Sequence, residues 1–498
     1  MNYKSKNVDV LMILPPKKQN LSRMFVDTHP PLNQGIDSVP LRLATIIEEE
    51  FRIDILFLNY ILYKYSNSIE DKEYIISKLN LLKPKVIIFA TDYWISNRST
   101  AYVNPTIEIS ELCKQYLPDT KIIVVGKQPM IDSSIYFEDT SAIDICVVSY
   151  PEELINNLIS SIITKSDLSN IPNIRYRKNY EIISTEYKPQ NIDFSSLPVP
   201  AYNILARHKK ELLSIVSPFC SDIYLTIRSS SGCPLKCDYC AGISQWNSIM
   251  YRSKDRFRED IHFAKECLKD SFKFTFLDDE MFTFNKDHVL DIVNVLLEEE
   301  IVLRGVFSHV HFFNKDVAAL LKGCVDSIMF GAENFDDKVL RSLNKKNSLK
   351  SILDSVLIAK KNGLRVRLEY IVGLPYEDIE SVSNNLNMIY NLIASGKVDD
   401  ISPYILVLHP GTKYQKNPSD FGIVIEESNY DNSHELYSYP QYNTKYLSSN
   451  QIFVYYLLVK EAIAMGKRGR NIYLRNSLQY NEQYYNQAII RSLMEKIK

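Results

Sequence analysis

The sequence predicts an α/β chain in three parts: a doubly wound (Rossmann-like) parallel sheet, a partial barrel of six βα units, and a helical C-terminal cap. Three patterns predict it. Over residues 1–165, five apolar runs alternate with amphipathic helical patterns. After a polar, proline-rich connector over residues 166–220, strand and helix signals alternate six more times across 221–415. Beyond Tyr414 the alternation stops, and residues 416–498 are rich in tyrosine.

The first five strands are expected at Val8–Leu14, Ile53–Leu58, Val86–Ala90, Ile122–Val125 and Ile145–Val148. Near-continuous apolar runs of this length are what parallel strands buried on both faces require. The helices between them are expected at 41–50, 69–82, 107–116 and 152–163. In such a sheet a ligand belongs at the carboxyl ends of the strands, and no GxGxxG stands there to support a dinucleotide. In the connector, Ile174–Arg177 and Glu181–Ile183 read as a short hairpin, and Leu197-Pro198-Val199-Pro200 is held extended by its prolines. The barrel strands are expected at 223–227, 273–277, 303–307, 327–330, 364–371 and 401–408. Active residues of a βα barrel lie at the carboxyl ends of its strands. In the last part, Gln451–Met465 carries a helical apolar stripe, read either as a cap over the barrel or as a plain packing helix.

Apolar residues at 45% and charged residues at 24% describe a globular protein of two or three domains at 498 residues. A net charge of −2 lacks the basic footprint of nucleic-acid binding. No run approaches the ~18 apolar residues of a membrane span, and no secretory signal pattern opens the chain. The remaining cysteines sit mostly in apolar patterns, as buried free thiols of a reducing compartment do, so a cytoplasmic location is expected.

The chemistry centres on Ser229-Ser230-Ser231-Gly232-Cys233-Pro234-Leu235-Lys236-Cys237-Asp238-Tyr239-Cys240, a loop entered by the strand Ile223–Ile227. Three cysteines at C-x3-C-x2-C can converge on one face of an iron–sulfur cube and leave its fourth iron open. Zinc, a redox disulfide and three unrelated core cysteines are the other readings of the same residues.

This loop, with Tyr239 before its last cysteine, resembles that of the radical S-adenosylmethionine (SAM) superfamily. The resemblance implies a 4Fe–4S cluster on Cys233, Cys237 and Cys240, SAM on the fourth iron, and Tyr239 against the adenine or the cluster. The barrel ends extend it. Asp278 and Asp279 close strand two, where the family binds the methionine amino group, and Gly331-Ala332-Glu333-Asn334 closes strand four, where Glu333 would reach the ribose or amino group. Gly373-Leu374-Pro375-Tyr376-Glu377 matches the family's Gly-x-Pro-Gly-Glu adenine turn, with Tyr376 in place of glycine and Gly373 and Pro375 kept. His409-Pro410-Gly411-Thr412 ends strand six.

The preceding sheet resembles the cobalamin-binding domain of the cobalamin-dependent subfamily. Thr91, Asp92, Gly126, Tyr150 and Glu152, at its carboxyl edge, are the residues implied to meet the cofactor. Gly126-Lys127 stands for a usual Gly-Gly, and Ser149-Tyr150-Pro151 for a usual Gly-Glu-Gly. Asp27-Thr28-His29 falls short of the signature that places histidine under cobalt, because Leu32 occupies the glycine position.

The resemblance spans roughly residues 5–415 and implies an oxygen-sensitive methyltransferase acting on an unactivated carbon or phosphorus of a small molecule or natural product, with a peptide substrate also open. Its electron would come from flavodoxin or ferredoxin. Radical rearrangement, ring contraction or cyclisation without methyl transfer is the alternative, and a non-catalytic iron–sulfur or zinc protein is the reading of another class. His309, His311, Arg367 and Glu369 are further candidates for the barrel interior.

Overall fold

The computed structural model describes residues 7–16, 36–62, 65–91, 103–190, 192–215, 222–244, 248–409, 411–425 and 439–475. The chain divides into two compact units: residues 1–229 with 250–276, and residues 230–249 with 277–498.

The first sheet contains β1 (Val10–Ile13), β2 (Ile53–Leu56), β3 (Val86–Thr91), β4 (Lys121–Gly126), β5 (Ile145–Val147), β6 (Ile174–Lys178) and β7 (Glu181–Ser184), in the order β2-β1-β3-β4-β5-β6-β7. The first five are parallel in the doubly wound order 2-1-3-4-5, with Val10 in register with both Ile53 and Val86. β3 is buried along its whole length, as two-sided helical cover requires. The chain reverses direction across the sheet between β1 and β3, and ligands of such folds bind outside the strand ends at that point.

The connector hairpin is not a separate piece. β6 pairs antiparallel with β5, Ile145 opposite Tyr176, and carries the sheet on to seven strands. The helix expected from Leu41 begins at Ser38, because Asp37 caps it by accepting from the Val39 amide at 2.9 Å. The proline-rich segment is strapped to this helix: Arg42 donates to the Pro198 carbonyl at 2.8 Å and Thr45 to the Val199 carbonyl at 2.6 Å.

The second sheet holds β8 (Ile223–Ile227), β11 (Phe272–Leu277), β12 (Gly305–Ser308), β13 (Ser327–Glu333), β14 (Arg365–Val372) and β15 (Asp400–Ile405), in sequence order across the sheet. The pairs β12–β13, β13–β14 and β14–β15 are parallel, as a singly wound half-barrel demands. Two-residue strands β9 (Ser230–Ser231) and β10 (Met250–Tyr251) flank the cysteine loop in sequence.

Beyond the barrel, β16 (Ile423–Ile425) and β17 (Tyr442–Thr444) form an antiparallel pair, and the helix Ser449–Arg475 packs along the helix Ile379–Ala394. Ile452, Tyr455, Tyr456, Val459 and Ala462 are buried, so the expected stripe is real and serves as a packing face. No helix among the described residues is long and apolar enough to cross a membrane. The helix expected after Ala488 lies outside the described residues.

Candidate active site

The cysteine loop is held by backbone and carboxylates within the second unit. Gly232 has φ +112°, and a Cβ there would stand 2.5 Å from the Ser248 carbonyl oxygen, so only glycine turns this corner. The Gly232 amide donates to Glu280 at 3.0 Å, and the Ser230 hydroxyl donates to Asp279 at 2.7 Å. The carboxylates closing β11 thus brace the loop, with Asp278 and Asp279 buried at their base. On the far side of the loop, Lys413 reaches Asp238 at 2.7 Å, and Asn344 donates to the Lys236 carbonyl at 2.8 Å.

Cys233, Cys237 and Cys240 carry free thiols along this loop. Burial pushes Cys233 up to about 11 and Cys237 up to about 12, against the pull of the nearby Lys345 ammonium. Among the described residues, no three His, Cys, Asp or Glu side chains are gathered as the ligand set of one metal ion. The ligands of an iron–sulfur cube differ from such a set, because each thiolate takes a different iron.

The end of β13 brings the next groups together. Glu333, at φ +66°, accepts from the Tyr239 hydroxyl at 3.0 Å and is ion-paired with the buried Lys345. Lys345 stays protonated: burial opposes its charge, but Glu333 and the neighbouring cysteine sulfurs outweigh burial and raise its pKa. His309 holds the Lys345 backbone, with Nε2 donating to its carbonyl at 3.1 Å while Nδ1 accepts from the His311 amide at 3.1 Å. Burial and the Lys345 charge hold His309 far below the usual histidine range, at about 3, so it is a neutral structural residue. Lys345 was not singled out in the sequence, where Asn344-Lys345-Lys346-Asn347 reads as a solvated loop.

The end of β14 turns through Gly373, Leu374 and Pro375, with Gly373 at φ +83° and Tyr376 at φ +70°. Glu377 closes the turn on itself, accepting from the Gly373 amide at 2.8 Å and the Leu374 amide at 2.9 Å. Asn334, next to Glu333, donates to the other Glu377 oxygen at 2.7 Å. Below the turn, Leu368, Tyr370 and Val372 are buried toward the helical layer, where Tyr370 meets Tyr455. Strand alternation therefore aims Arg367 and Glu369 at the opposite, concave face. There Arg367 pairs with Glu369 at 2.9 Å and donates to the Tyr404 hydroxyl at 3.2 Å.

In the first unit, Thr91 and Gly126 are in register at the carboxyl edge, and a Cβ on Gly126 (φ +121°) would overlap the Thr91 carbonyl oxygen. Lys127 and Gln128 follow at once and are buried. Glu152 follows β5, and burial raises its carboxyl to about 7. Among the described residues, Asn59 Oδ1 after β2, Gln128 Oε1 after β4 and Glu152 Oε2 after β5 are buried acceptors without a hydrogen-bond donor. Tyr150 lies between β5 and Glu152, half-buried. Asp92, His29 and Pro410 lie outside the described residues.

Residues 227–389 match the Radical SAM superfamily. An uncharacterized methyltransferase of Pyrococcus horikoshii is 25% identical over 420 residues, 82% of each chain. The anaerobic magnesium-protoporphyrin IX monomethyl ester cyclase of Rubrivivax gelatinosus is 20% identical over 323 residues, 62% of this chain and 55% of the cyclase. Among solved structures, the radical SAM methyltransferase TsrM from Kitasatospora setae, with cobalamin and a 4Fe–4S cluster bound, superposes with a TM-score of 0.63 at 13% identity, covering 84% of this chain and 77% of TsrM. The cobalamin-dependent radical enzyme OxsB, with aqua-cobalamin and SAM bound, gives 0.65 at 13% identity, covering 99% of this chain and 72% of OxsB. At such identities the likeness is one of fold, and it extends through both units.

Proposed function

We infer that this chain, a radical SAM enzyme by its domain at residues 227–389 and by its fold, uses cobalamin to transfer a methyl group to an unactivated carbon or phosphorus of a small molecule. The observation that carries the reading is the gathering, in one compact unit, of the cysteine loop, the Glu333–Lys345 pair and the Gly373 turn at the ends of parallel strands. The doubly wound sheet that precedes the barrel supports the corrin.

Cys233, Cys237 and Cys240 would hold three irons of the cluster, and the metal charge would ionise thiols that burial otherwise keeps protonated. Glu333 and Lys345 present one carboxylate and one ammonium, the complement of an amino-acid zwitterion, at the loop where SAM would bind. Tyr239 fixes that carboxylate, Asp278 and Asp279 sit under the loop, and the Gly373–Pro375 turn offers main-chain groups to the adenine. Bound together, the cofactors supply a 5′-deoxyadenosyl radical and a transferable methyl group.

The first unit fits the corrin. The orphaned acceptors of Asn59, Gln128 and Glu152 carry a desolvation cost that amide donors on the corrin rim would relieve. Thr91, Gly126 and Tyr150 are at the same edge. Arg367, Glu369 and Tyr404 give the concave face of the barrel a polar lining for the substrate. A flavodoxin- or ferredoxin-type donor would supply the electron.

The cyclase relative favours a second reading, ring formation or rearrangement without methyl transfer. Anaerobic purification with iron, sulfide and hydroxocobalamin, followed by incubation with SAM and reductant, separates the readings. About four irons and one corrin per chain, with 5′-deoxyadenosine and S-adenosylhomocysteine both formed, supports methyl transfer. 5′-Deoxyadenosine without S-adenosylhomocysteine supports rearrangement, and iron without corrin removes methyl transfer and leaves only the radical SAM assignment.

A further inference from the structure

The C-terminal segment, expected from sequence to cap the barrel, ends two of its side chains on the turn after β14. The Tyr442 hydroxyl donates to the Gly373 carbonyl at 3.0 Å. The Tyr455 hydroxyl donates to Glu377 Oε1 at 3.4 Å, and the other oxygen of that carboxylate accepts from the Gly373 and Leu374 amides. Gly373 is thus gripped at its carbonyl by one tyrosine directly, and at its amide by the other through Glu377. A Cβ on Gly373 would stand 2.5 Å from the Tyr442 hydroxyl and 2.7 Å from Ile452, so the glycine lets the segment come this close.

All three side chains are buried, with Glu377 at 0%, Tyr455 at 1% and Tyr442 at 2% exposure. Tyr455 is itself fixed by the Tyr370 hydroxyl and by Asn385 at 3.4 Å, and Asn385 also reaches Asn334 at 3.1 Å. A segment that merely filled the core would present apolar atoms here. This one delivers the Tyr442 hydroxyl of β17 to the main chain of a strand-end turn and the Tyr455 hydroxyl of the helix to the carboxylate that holds the turn's amides, where a shift of one peptide plane moves whatever the turn binds.

We propose that Tyr442 and Tyr455 are positioning residues for the nucleoside of SAM, setting the Gly373–Pro375 turn from outside the barrel. The proposal rests on the reading that this turn receives the adenine. The titratable groups facing Glu377 are Tyr370, Tyr442 and Tyr455, all neutral, since burial and the nearby carboxyl hold each well above the ordinary tyrosine range. Burial raises Glu377 to about 7, while bonds from Asn334, the two amides and Tyr455 oppose that rise. Loss of the Tyr455 hydroxyl would therefore move Glu377 protonation, and the loosening of the turn that follows it, to higher pH.

The test is SAM binding by equilibrium dialysis to the full chain reconstituted with iron and sulfide, comparing wild type with Tyr442→Phe, Tyr455→Phe and, as control, Tyr446→Phe. Both test variants should bind SAM about tenfold more weakly, with unchanged iron content, and KM for SAM should rise while the rate of SAM cleavage at saturation holds. In Tyr455→Phe the loss of affinity on acidification should begin at higher pH than in wild type, and Tyr446→Phe should match wild type. Unchanged SAM affinity in both variants overturns the proposal, as does parallel loss of iron and SAM in both, which marks a structural role. If Tyr455→Phe alone fails to hold iron, Tyr442→Phe decides. A wild-type chain that holds four irons yet binds no SAM refutes instead the reading of the site on which the proposal rests.

Discussion

Lys345 and Glu333 form an ion pair with only 8% and 6% of each residue exposed, and Gly331 leaves the space the pair occupies. A Cβ on Gly331 would lie 2.6 Å from Glu333 Oε1 and would also strike the ammonium. Removing one partner of a buried pair leaves the other charge uncompensated, which costs about 3–5 kcal/mol. Lys345→Met should therefore lower stability by that order, read by urea denaturation. Gly331→Ala meets only the flexible ends of two side chains, and should cost about 1–3 kcal/mol as they move aside.

Tyr376 holds φ +70° at the position where the adenine turn it resembles has glycine. A left-handed conformation costs a non-glycine residue roughly 1–2 kcal/mol, and glycine returns part of that gain as extra freedom in the unfolded chain. Tyr376→Gly should raise stability by up to about 1 kcal/mol, seen as a higher melting temperature.

How far the sequence could be read follows the range of the interactions involved. The strands buried on two faces announce themselves as apolar runs, and the cysteine loop needs only its own twelve residues. Asp37 is also a local signal, and reading it as a cap would have placed the first helix start at Ser38. Partner choice is not local. The hairpin 174–184 was legible as a hairpin, but its pairing with β5 depends on an edge some thirty residues upstream. The stripe through Tyr455 was legible as a buried face, whereas the destination of its hydroxyl, 78 residues away in sequence at Glu377, was not. Lys345 and Arg252 defeat composition outright, since long charged side chains are expected at the surface unless a partner is known.

Arg252 shares the carboxylate of Asp260 with Arg42: Arg252 Nη2 reaches Oδ1 at 2.7 Å and Arg42 Nη2 reaches Oδ2 at 2.7 Å. Arg252 also donates to the Phe194 and Leu197 carbonyls, at 2.8 and 2.6 Å, and the Phe194 ring lies 5.2 and 5.8 Å from the two guanidinium carbons. One buried carboxylate thus ties the connector to two helices. Burial and the repulsion of Arg42 pull Arg252 down to about 10, which shows how much Asp260 must offset. Asp260→Asn should destabilise the chain by about 3–5 kcal/mol, because two buried cations lose their shared counter-charge. Differential scanning calorimetry of the full chain checks it.

His208 Nε2 lies 2.7 Å from Asp54 and Nδ1 lies 3.5 Å from Glu211, and Glu211 also takes Lys78 and Tyr74, each at 2.7 Å. Burial works against a charged imidazole, yet the bonds from Asp54 and Glu211 outweigh it and raise His208 to about 9 from an ordinary 6.5. A group whose folded pKa is raised stabilises the protein fully below its unfolded pKa, and the contribution is lost as pH rises through the folded value. The cluster should therefore contribute most near pH 6 and fade between about 6.5 and 9, by at most about 3 kcal/mol. Glu211 is held down to about 2 by His208 despite its own burial, with Lys78 and Tyr74 adding to the pull, so the same contribution also falls away in acid as Glu211 protonates. Urea denaturation of wild type and His208→Gln across pH isolates the group from other titrations. The stability difference between the two should be large at pH 6 and nearly gone at pH 9.5; a difference constant over that range would mean that His208 is neutral throughout and acts by packing alone.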